Sequence, residues 1–399
     1  MNLSEKALGI SQSPTLAINA KSKQMKKEGH DIVGFGSGEP DFDTPEYIKR
    51  AAVEALNEGF TKYTPVGGIP ELRSAAADYI AESTGVSYDA NQVMISNGAK
   101  QCLFNALYCL LNPGDKVLIP SPYWVTYPEL VKLCGGEPIF VPTNEKEGFK
   151  LKADILEPFI DDKVKALIIN SPNNPTGSVY PKEDLEEIAQ LAIKNNITVI
   201  SDEIYEKLLY DGEKHTSIVS INDDMFDRTI VINGVSKSYS MTGWRIGFIA
   251  GPENIVKAMT NLQSHTTSNP NSIAQKASLV ALTNPLKDET VKEMVDAFLN
   301  RRNYMLNRIK NIPALSCSVP KGAFYIALNI SGTFGKKLNG KEIYDSTSFA
   351  DQLLENYKVS VVPGIAFGSE EIVRISYATS MQNIEKGFDR IEEFISLLK

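Results

Sequence analysis

The sequence predicts an α/β protein in which a mostly parallel sheet of about seven strands is flanked by helices and followed by a smaller α+β unit. From about residue 45 to 300, short apolar runs alternate with helical patterns, as in βαβ units. Several runs are continuous rather than alternating, which is typical of strands covered on both faces. At 399 residues, the chain is also too long for one ordinary domain, so two packed units are expected.

The large sheet is predicted from short apolar runs. These runs are 93–96, 117–120, 138–141, 166–170, 198–202, 229–233 and 247–251. Segments 100–111 and 182–195 lie between some of them and repeat apolar residues at three- and four-residue intervals. This spacing indicates amphipathic helices that cover the sheet.

After about residue 285 the pattern changes to helices and strands joined by turns. A long helical pattern, three apolar strand candidates and a closing helix follow in order, at 288–311, 322–330, 359–364, 371–380 and 383–398. No linker rich in Pro or Ser separates the two units, so we expect an extensive interface with a cleft. The predicted divisions are an N-terminal segment that joins the small domain, a large domain and a small C-terminal domain, at 1–45, 46–300 and 301–399.

Composition disfavours several classes of protein. The net charge of -8 argues against a nucleic-acid or membrane-surface partner, for which basic stripes are expected. No apolar stretch is long enough to span a bilayer, and the N-terminus lacks the apolar core of a signal peptide. Four cysteines without a C-x-x-C pair, together with three histidines, predict neither a disulfide framework nor a metal site. We therefore expect a cytoplasmic protein.

Lys237 is the most unusual residue of the sequence. It lies between the apolar runs 229–232 and 246–250, which both resemble buried strands. A buried ammonium group is unfavourable unless it is paired or loses its proton. Lysines that lose the proton easily are the ones that form Schiff bases, so Lys237 is a candidate nucleophile.

The turn after strand 93–96 is a candidate anion site. Asn97 and Gly98 lead from the strand into a helix, where free backbone N–H groups and the helix dipole favour phosphate. The alternative is an ordinary turn capped by Asn97. Lys100 favours the first interpretation, because a cation in the first turn of a helix opposes the helix dipole.

Polar residues follow two of the predicted strands. Asp202 ends strand 198–202, and Tyr205 comes three residues later. Asn173 and Asn174 follow strand 166–170. Ligands of open α/β sheets bind beyond the carboxyl ends of the strands, which makes these residues candidates for a site. The alternatives are a turn capped by Asp202 and an ordinary turn at the asparagines.

Three larger side chains can likewise be interpreted either as part of a ligand site or as part of the structure alone. Trp124 follows strand 117–120 and could cover a planar ring or pack in the core. Arg374 lies within an apolar strand, where its guanidinium needs either a structural carboxylate or a ligand carboxylate in a bidentate fork. Arg245 presents the same alternatives.

Four motifs in order identify a resemblance. "SPNNPTG" at 171–177, "SDEIY" at 201–205, "SKSYSMTGWRIG" at 236–247 and "VRISYATS" at 373–380 resemble the class I/II pyridoxal-phosphate aminotransferases of fold type I. The resemblance covers nearly the whole chain, from about residue 12. "GEPDFDTP", "GAKQCLFN" and "SPYWVTYPE" further resemble the bacterial-type aspartate aminotransferases, a subgroup that includes prephenate aminotransferases.

The resemblance implies pyridoxal 5'-phosphate as cofactor and a homodimer with composite active sites. Lys237 would form the Schiff base and move the substrate proton, Asp202 would face the pyridine nitrogen, and Tyr205 would tune the bound cofactor; these are the implied catalytic residues. The implied cofactor-binding residues are Gly98, Ala99, Lys100, Trp124, Asn174, Asp202, Tyr205, Ser236, Lys237, Arg245 and, from the neighbouring subunit, Tyr63.

For the substrate, the resemblance implies that Arg374 binds the α-carboxylate, with the Gly38 amide and Asn174 nearby. The arginine that animal-type enzymes use for the side-chain carboxylate is replaced here by Ser264. In the bacterial-type subgroup Lys100 would take this task, which would explain its place in the helix. The implied substrate-binding residues are Gly38, Lys100, Trp124, Asn174, Arg374, Thr15 and Ser13.

The expected function is transamination from aspartate to 2-oxoglutarate by a ping-pong mechanism, with amino acids and 2-oxo acids as the small-molecule partners. The alternatives are a prephenate or aromatic aminotransferase on the same scaffold and a pyridoxal-phosphate-dependent lyase. A non-catalytic binding module is disfavoured by the negative net charge and by the lack of a preceding helix-turn-helix pattern. A nicotinamide dehydrogenase is disfavoured because "GFGSGEP" does not match the glycine fingerprint.

Overall fold

The structure is a computed structural model that describes residues 2–4, 8–10 and 14–399, without the side chains of residues 14–17 and 19. Its strands are β1 Val33–Gly34, β2 Val93–Ser96, β3 Lys116–Ser121, β4 Glu137–Pro142, β5 Val164–Asn170, β6 Thr198–Asp202, β7 Thr229–Gly234, β8 Gly247–Ala250, β9 Tyr325–Asn329, β10 Lys337–Leu338, β11 Lys341–Glu342, β12 Val359–Ser360, β13 Val362–Pro363 and β14 Ile372–Ser376.

The helices alternate with these strands. They are α1 Pro14–Lys27, α2 Glu46–Asn57, α3 Pro70–Thr84, α4 Ala99–Leu110, α5 Thr126–Leu133, α6 Ala153–Leu156, α7 Lys182–Lys194, α8 Asp223–Phe226, α9 Glu253–Thr266, α10 Ser272–Thr283, α11 Lys287–Ile309, α12 Ser346–Tyr357 and α13 Met381–Ser396.

A seven-stranded sheet forms the centre of the molecule, in the order β2-β8-β7-β6-β5-β3-β4. Strand β8 runs antiparallel to both of its neighbours, and the other strands run parallel to one another. The predicted mostly parallel sheet is therefore confirmed. The predicted strand bounds differ from the observed ones by at most two residues at either end.

Both faces of this sheet are covered, as the continuous apolar runs predicted. Ile230 and Ile232 of β7 pack on one face with Leu103 of α4. Val231, between them, packs on the opposite face with Leu72 of α3. This opposition follows from the alternation of side chains along a strand, so a strand with two buried faces needs an apolar residue at every position.

The C-terminal part contains a second, smaller sheet. Strands β13, β14 and β9 pair antiparallel, and α11, α12 and α13 contribute to the apolar cluster around them. The segment 359–364, predicted as one strand, forms two strands in different sheets: β12 pairs with β1 and β13 pairs with β14. The pairing of β1 with β12 attaches the N-terminal segment to this smaller unit.

Helix α11 connects the two units. Val291, near its start, packs in the cluster under the large sheet, whereas Phe298 and Met305 belong to the cluster of the smaller unit. The predicted boundary at residue 300 falls inside this helix. We keep the three predicted divisions as a proposal, with the passage from one unit to the other made within α11.

Within the described residues, no helix combines the length and the apolar character that crossing a membrane requires. The same part of the chain contains no group of three or more His, Cys, Asp or Glu side chains arranged to hold a metal ion.

Candidate active site

A cavity of about 640 Å³ lies beside the carboxyl ends of β5, β6 and β7, and residues of the smaller unit close it on one side. Most of the residues that the sequence predicted for the site line it. They are Gly38, Ala99, Lys100, Trp124, Asn174, Asp202, Tyr205, Ser236, Lys237, Arg245 and Arg374. The fold places them together because parallel strands end at the same edge of a sheet.

Lys237 follows β7 and extends its amine into this cavity. Its Nζ donates a hydrogen bond to the carbonyl oxygen of Gly38 at 2.6 Å. Burial lowers the pKa of Lys237 to about 8, and the positive charges of Arg374 and Arg245 act in the same direction. The amine is therefore partly neutral near neutral pH, which is the state in which it can act as a nucleophile or a base.

Asp202 is the last residue of β6 and is 3% exposed. The hydroxyl of Tyr127 donates to its Oδ2 at 2.7 Å, and the backbone N–H of Ile204 donates to its Oδ1 at 3.3 Å. Burial raises the pKa of Asp202 to about 6, although these two donors lower it. No cation among the described residues lies within ion-pair distance of Asp202, so the carboxylate suits a cationic ligand atom.

A pair of tyrosines and a pair of asparagines line the adjacent wall. The hydroxyl groups of Tyr205 and Tyr325 lie 3.0 Å apart, and both side chains are buried. Asn170, the last residue of β5, accepts a hydrogen bond from the backbone N–H of Asn174 at 2.9 Å. It also donates to the backbone oxygen of Asp202 at 2.9 Å, which fixes the ends of β5 and β6 relative to each other.

The turn before α4 forms a narrow cradle with Arg245. Gly98 has a φ of +84°, and a Cβ atom there would lie 2.5 Å from Nη2 of Arg245. A Cβ atom on Gly247 would lie 2.4 Å from the backbone nitrogen of Ala99. Only glycine fits at both positions, because the backbone conformation of the first and the close approach of the second exclude a side chain.

This cradle has the properties of an anion site. The N-terminus of α4 begins at Ala99 and presents its free N–H groups. Nη1 of Arg245 donates to the carbonyl oxygen of Thr242 at 2.9 Å, and no carboxylate in the described part of the chain pairs with it. The guanidinium therefore keeps its charge available for an anion such as a phosphate.

Arg374, on β14, is 3% exposed and has only neutral hydrogen-bond partners among the described residues. Nη1 donates to Oδ1 of Asn174 and Nη2 to the carbonyl oxygen of Gly36, both at 3.0 Å. Its buried Nε has no partner in the structure. The guanidinium carbon lies 4.5 Å from the ring centre of Tyr325. A buried cation without a counter-ion suits a carboxylate ligand.

Trp124 and Lys100 form the opposite side of the cavity. Nζ of Lys100 lies 5.0 Å from the ring centre of Trp124, within cation–π distance. Burial and the charge of Arg245 lower the pKa of Lys100. Trp124 also contacts Tyr127 edge-to-face, with ring centres 5.4 Å apart, and lines the cavity, where an indole can cover a flat ligand.

Among the described residues, two of the predicted ones, Tyr63 and Gly98, do not line the cavity of this chain. Tyr63 is 93% exposed and lies outside the cavity. Ser13 and the side chain of Thr15 lie outside the described part of the chain. Gly98 contributes to the cradle through its backbone rather than to the cavity wall.

Three residues of this site were not predicted from the sequence. Asn170 could have been found, because it ends a predicted strand as Asp202 does. Tyr127 and Tyr325 carried no comparable signal, since an aromatic residue among apolar neighbours is typical of a core residue. Their roles depend on contacts with Asp202 and Tyr205 that lie 75 and 120 positions away in the sequence.

The fold and the cavity define a class of protein. Residues 30–391 match the family model of aminotransferases of class I and II, and the chain belongs to this family. It is 46% identical to the aspartate aminotransferase of Bacillus subtilis strain 168, over 99% of each chain. It is also 46% identical to a probable aspartate/prephenate aminotransferase of Rickettsia felis, over 98% of this chain and 95% of the relative.

Solved structures agree with these relatives. The aspartate aminotransferase of Rhizobium meliloti superimposes on the chain with a TM-score of 0.97 at 39% identity, and the match covers 100% of both chains. The predicted family and fold are therefore confirmed.

Proposed function

We propose that this protein is a pyridoxal-phosphate-dependent aspartate aminotransferase, which converts aspartate and 2-oxoglutarate into oxaloacetate and glutamate by a ping-pong mechanism. The observation that carries this proposal is the amine of Lys237, whose pKa is lowered to about 8 by burial in its cavity. The same cavity contains Asp202 and Arg374, which form no ion pair with any described residue. The aspartate aminotransferases among its relatives support the choice of substrate.

Pyridoxal 5'-phosphate fits the residues of the cavity. The cradle of Gly98, Gly247 and Arg245 would hold the phosphate, since it offers free N–H groups and an unpaired guanidinium in a space that side chains would fill. Asp202 would bind the protonated ring nitrogen, and Trp124 would cover the ring. When bound, this cofactor supplies an aldehyde for the amine of Lys237 and a ring that accepts the electrons of the substrate carbanion.

Each of the remaining residues has a defined task in this proposal. Arg374 binds the substrate α-carboxylate through the donors that Asn174 and Gly36 leave free. Lys237, in its neutral form, would remove the proton from the Cα atom of the substrate and transfer it onward. Asp202, in its ionised form, would hold a protonated ring nitrogen. The hydroxyl of Tyr205 would donate to the phenolic oxygen of the cofactor, and Tyr325 would orient that hydroxyl.

Lys100 is the proposed ligand of the substrate side-chain carboxylate. It lies on the cavity wall beside Trp124, and its ammonium has no carboxylate partner among the described residues. The pKa of Lys100 is lowered by burial and by Arg245, and a bound dicarboxylate would offset both effects. Ser13 and Thr15 are proposed to add contacts from the N-terminal segment.

A homodimer with composite sites is part of the same proposal. Tyr63 is almost fully exposed although it is aromatic, and it lies outside the cavity of its own chain. Exposed aromatic side chains are enriched in protein interfaces. We propose that Tyr63 reaches the phosphate in the cavity of the partner subunit.

Prephenate or aromatic transamination is the second candidate. Relatives named as probable aspartate/prephenate aminotransferases match nearly the full length of the chain. The wall formed by Val125, Leu133 and Ile365 is apolar, so a ring could lie there while Arg374 binds the α-carboxylate. This candidate uses the same residues for the proton transfer.

One panel of substrates tests the proposal. The purified protein, loaded with pyridoxal 5'-phosphate, is given aspartate, glutamate, alanine or phenylalanine with 2-oxoglutarate, and then glutamate with prephenate. We expect aspartate to be the best donor to 2-oxoglutarate. Faster transfer to prephenate would favour the second candidate, and no transfer in any pair would contradict both.

Borohydride reduction tests the position of the cofactor in the same preparation. We expect the reduced protein to carry the cofactor on the peptide that contains Lys237. Labelling of another lysine, or a colourless active preparation without the cofactor, would contradict the proposed chemistry.

A further inference from the structure

A buried polar cluster lies behind the cavity, on the other side of the turn that carries Asp202 and Tyr205. Asp202 and Tyr205 line the cavity, whereas Glu203 and Glu206 do not and are 1% and 3% exposed. Side chains alternate between the faces of a strand, so Glu203 points away from the cavity when Asp202 points into it. In the sequence "DEIYE" at 202–206, Asp202, Ile204 and Tyr205 therefore line the cavity, whereas the two glutamates lie away from it.

Glu203 is the centre of this cluster. Its Oε1 accepts hydrogen bonds from the hydroxyl groups of Ser201, at 2.8 Å, and Ser217. Its Oε2 lies 2.9 Å from Nε2 of His215, whose side chain is 5% exposed. These groups supply the hydrogen-bond partners that a buried carboxyl group requires.

His215 follows Glu203 by 12 positions, in the same segment between β6 and the short helix α8. Burial alone would lower its pKa, but the charges of Glu203 and Glu206 raise it overall. Lys207 opposes this increase. The direction of this shift favours the protonated imidazole beside the carboxyl group of Glu203, and Nδ1 of His215 has no partner among the described residues.

The backbone of the turn is anchored at the same point. The N–H of Glu203 donates to the carbonyl oxygen of Ile232 in β7 at 2.8 Å, and the N–H of Glu206 donates to the carbonyl oxygen of Glu203 at 3.0 Å. The carboxyl group of Glu206 accepts a hydrogen bond from the hydroxyl of Tyr79 in α3. Each of the two glutamates is thus held by side chains from outside the turn.

A buried ion pair is rarely the most stabilising solution for a core, since well-packed apolar residues are often as good. Such a pair can instead fix geometry, because a carboxylate that accepts several hydrogen bonds holds the backbone that carries it in place. Here that backbone carries Asp202 and Tyr205, so a shift of the turn would displace both from the ring of the bound cofactor.

We propose that Glu203 and His215 are a positioning pair, which holds Asp202 and Tyr205 in register with the cofactor from the far side of the sheet. The inference rests on the proposed function, because it assigns the pair to that reaction. Neither residue touches the cavity, and both act through the turn.

The test compares Glu203→Gln, His215→Gln and the double variant with the wild-type holoenzyme. Asp184→Asn is the matched control, because Asp184 is also a buried carboxylate, paired with Lys152 at 2.6 Å, but lies on α7 outside the cavity. Three quantities are measured: the dissociation constant of pyridoxal 5'-phosphate, kcat and KM for the amino donor, and the melting temperature of the cofactor-free protein.

For each single variant we expect kcat to fall and the cofactor dissociation constant to rise by roughly 10- to 100-fold, as for a misplaced reacting group. KM for the donor should stay close to the wild-type value, because Arg374 is not displaced. The double variant should lose less than the product of the two single losses, since the residues act as a pair. The control should lower the melting temperature without changing kcat or cofactor affinity.

Wild-type kcat and cofactor affinity in both single variants would overturn the inference, even if the melting temperature fell. Equal kinetic losses in Asp184→Asn would also overturn it, because they would indicate general loosening of the fold. If Glu203→Gln does not fold, Ser217→Ala removes a single donor to Glu203 and must show the same rise in the dissociation constant. A wild-type protein that binds the cofactor but transaminates nothing would contradict the proposed function alone; the dissociation constants would then decide the inference.

Discussion

At the scale of single residues, the site consists of charged groups held where charge is unfavourable. Lys237, Asp202 and Arg374 are each displaced from their ordinary pKa by burial, and each lacks an oppositely charged partner among the described residues. Without a ligand, buried charges of this kind do not stabilise a protein core, because removing a charge from water is unfavourable. A cofactor with a phosphate and a ring nitrogen, and a substrate with a carboxylate, would supply the missing partners.

Arg374→Lys tests the carboxylate clamp. Lysine keeps the positive charge but cannot form the planar two-donor contact, and it cannot maintain the hydrogen bonds to both Asn174 and Gly36. We expect a loss of roughly 2–5 kcal/mol in kcat/KM for every amino donor. The control is the dissociation constant of pyridoxal 5'-phosphate, which should change little. A near-native kcat/KM would mean that another group binds the α-carboxylate.

Lys100→Ala tests the selection of the side chain. If Lys100 binds the second carboxylate, kcat/KM should fall far more for aspartate and glutamate than for alanine and phenylalanine, because only dicarboxylates use the contact. The ratio between the two groups of donors is the quantity to measure. Equal losses for all four donors would limit Lys100 to a structural or phosphate-binding role.

The pH dependence of cofactor binding tests Asp202. Burial raises the pKa of Asp202 to about 6, so its negative charge is present above this pH and is lost as the pH falls through it. The affinity for pyridoxal 5'-phosphate should therefore weaken below about pH 6. Asp202→Asn should bind weakly at all pH values and lack this step. Parallel pH profiles for the two proteins would show that another group controls binding.

At the scale of elements, the site is made by the ends of strands and the start of one helix. β5, β6 and β7 deliver Asn170, Asp202 and the loop of Lys237 to one edge, and α4 delivers its N–H groups beside them. Strand β8 runs in the opposite direction, so its first residue, Gly247, lies against the start of α4. The antiparallel strand β8 thus contributes Gly247 to the cradle, beside Gly98, Arg245 and the start of α4.

Gly247→Ala tests that cradle. The added Cβ would lie 2.4 Å from the backbone nitrogen of Ala99, so the start of α4 must move. We expect the dissociation constant of pyridoxal 5'-phosphate to rise by roughly tenfold or more, equivalent to about 1.4 kcal/mol. Gly34→Ala is the control, since a Cβ there meets nothing within 4 Å. Unchanged affinity in Gly247→Ala would place the phosphate elsewhere.

At the scale of the whole molecule, the site depends on how the two units meet. Arg374 belongs to the small sheet, yet it donates to Asn174, which follows β5 of the large sheet. The N-terminal segment is attached to the smaller unit through β1 and β12. It supplies Gly38 to the same cavity and the carbonyl oxygen of Gly36 to Arg374. The absence of a linker between the two units predicted an extensive interface with a cleft. In the proposed function, the substrate would bind at this interface.

Mixing inactive variants tests the proposed dimer. Tyr63→Ala and Lys237→Ala subunits should each be impaired alone, but a hybrid dimer should contain one intact site, because Tyr63 and Lys237 of one site come from different chains. We expect activity to appear when the two variants are mixed under conditions that exchange subunits. Mixing Lys237→Ala with Arg374→Ala is the control, since both residues line one chain's cavity and no intact site can form. No recovery with Tyr63→Ala would contradict composite sites.

The sequence analysis predicted best where the signal was local. The seven strands of the large sheet were found from continuous apolar runs, and Asp202 was found because it ends one of them. The segment 359–364 was wrongly taken as one strand, since nothing in six mostly apolar residues marks the point where the chain leaves one sheet for another. Strand β1 was missed because two residues are too few to show a period.

The sequence by itself determined the order of the elements, the charged residues at the strand ends and, through its motifs, the family. Periodicity and turn chemistry act over a few residues, so a single chain displays them directly. Only the tertiary structure decided which residues meet: Tyr127 with Asp202, Asn174 with Arg374, and His215 with Glu203. Such contacts join residues that are 12, 75 and 200 positions apart, beyond the reach of a local pattern. The burial that shifts the pKa of Lys237 and Asp202 also exists only after the chain has packed together.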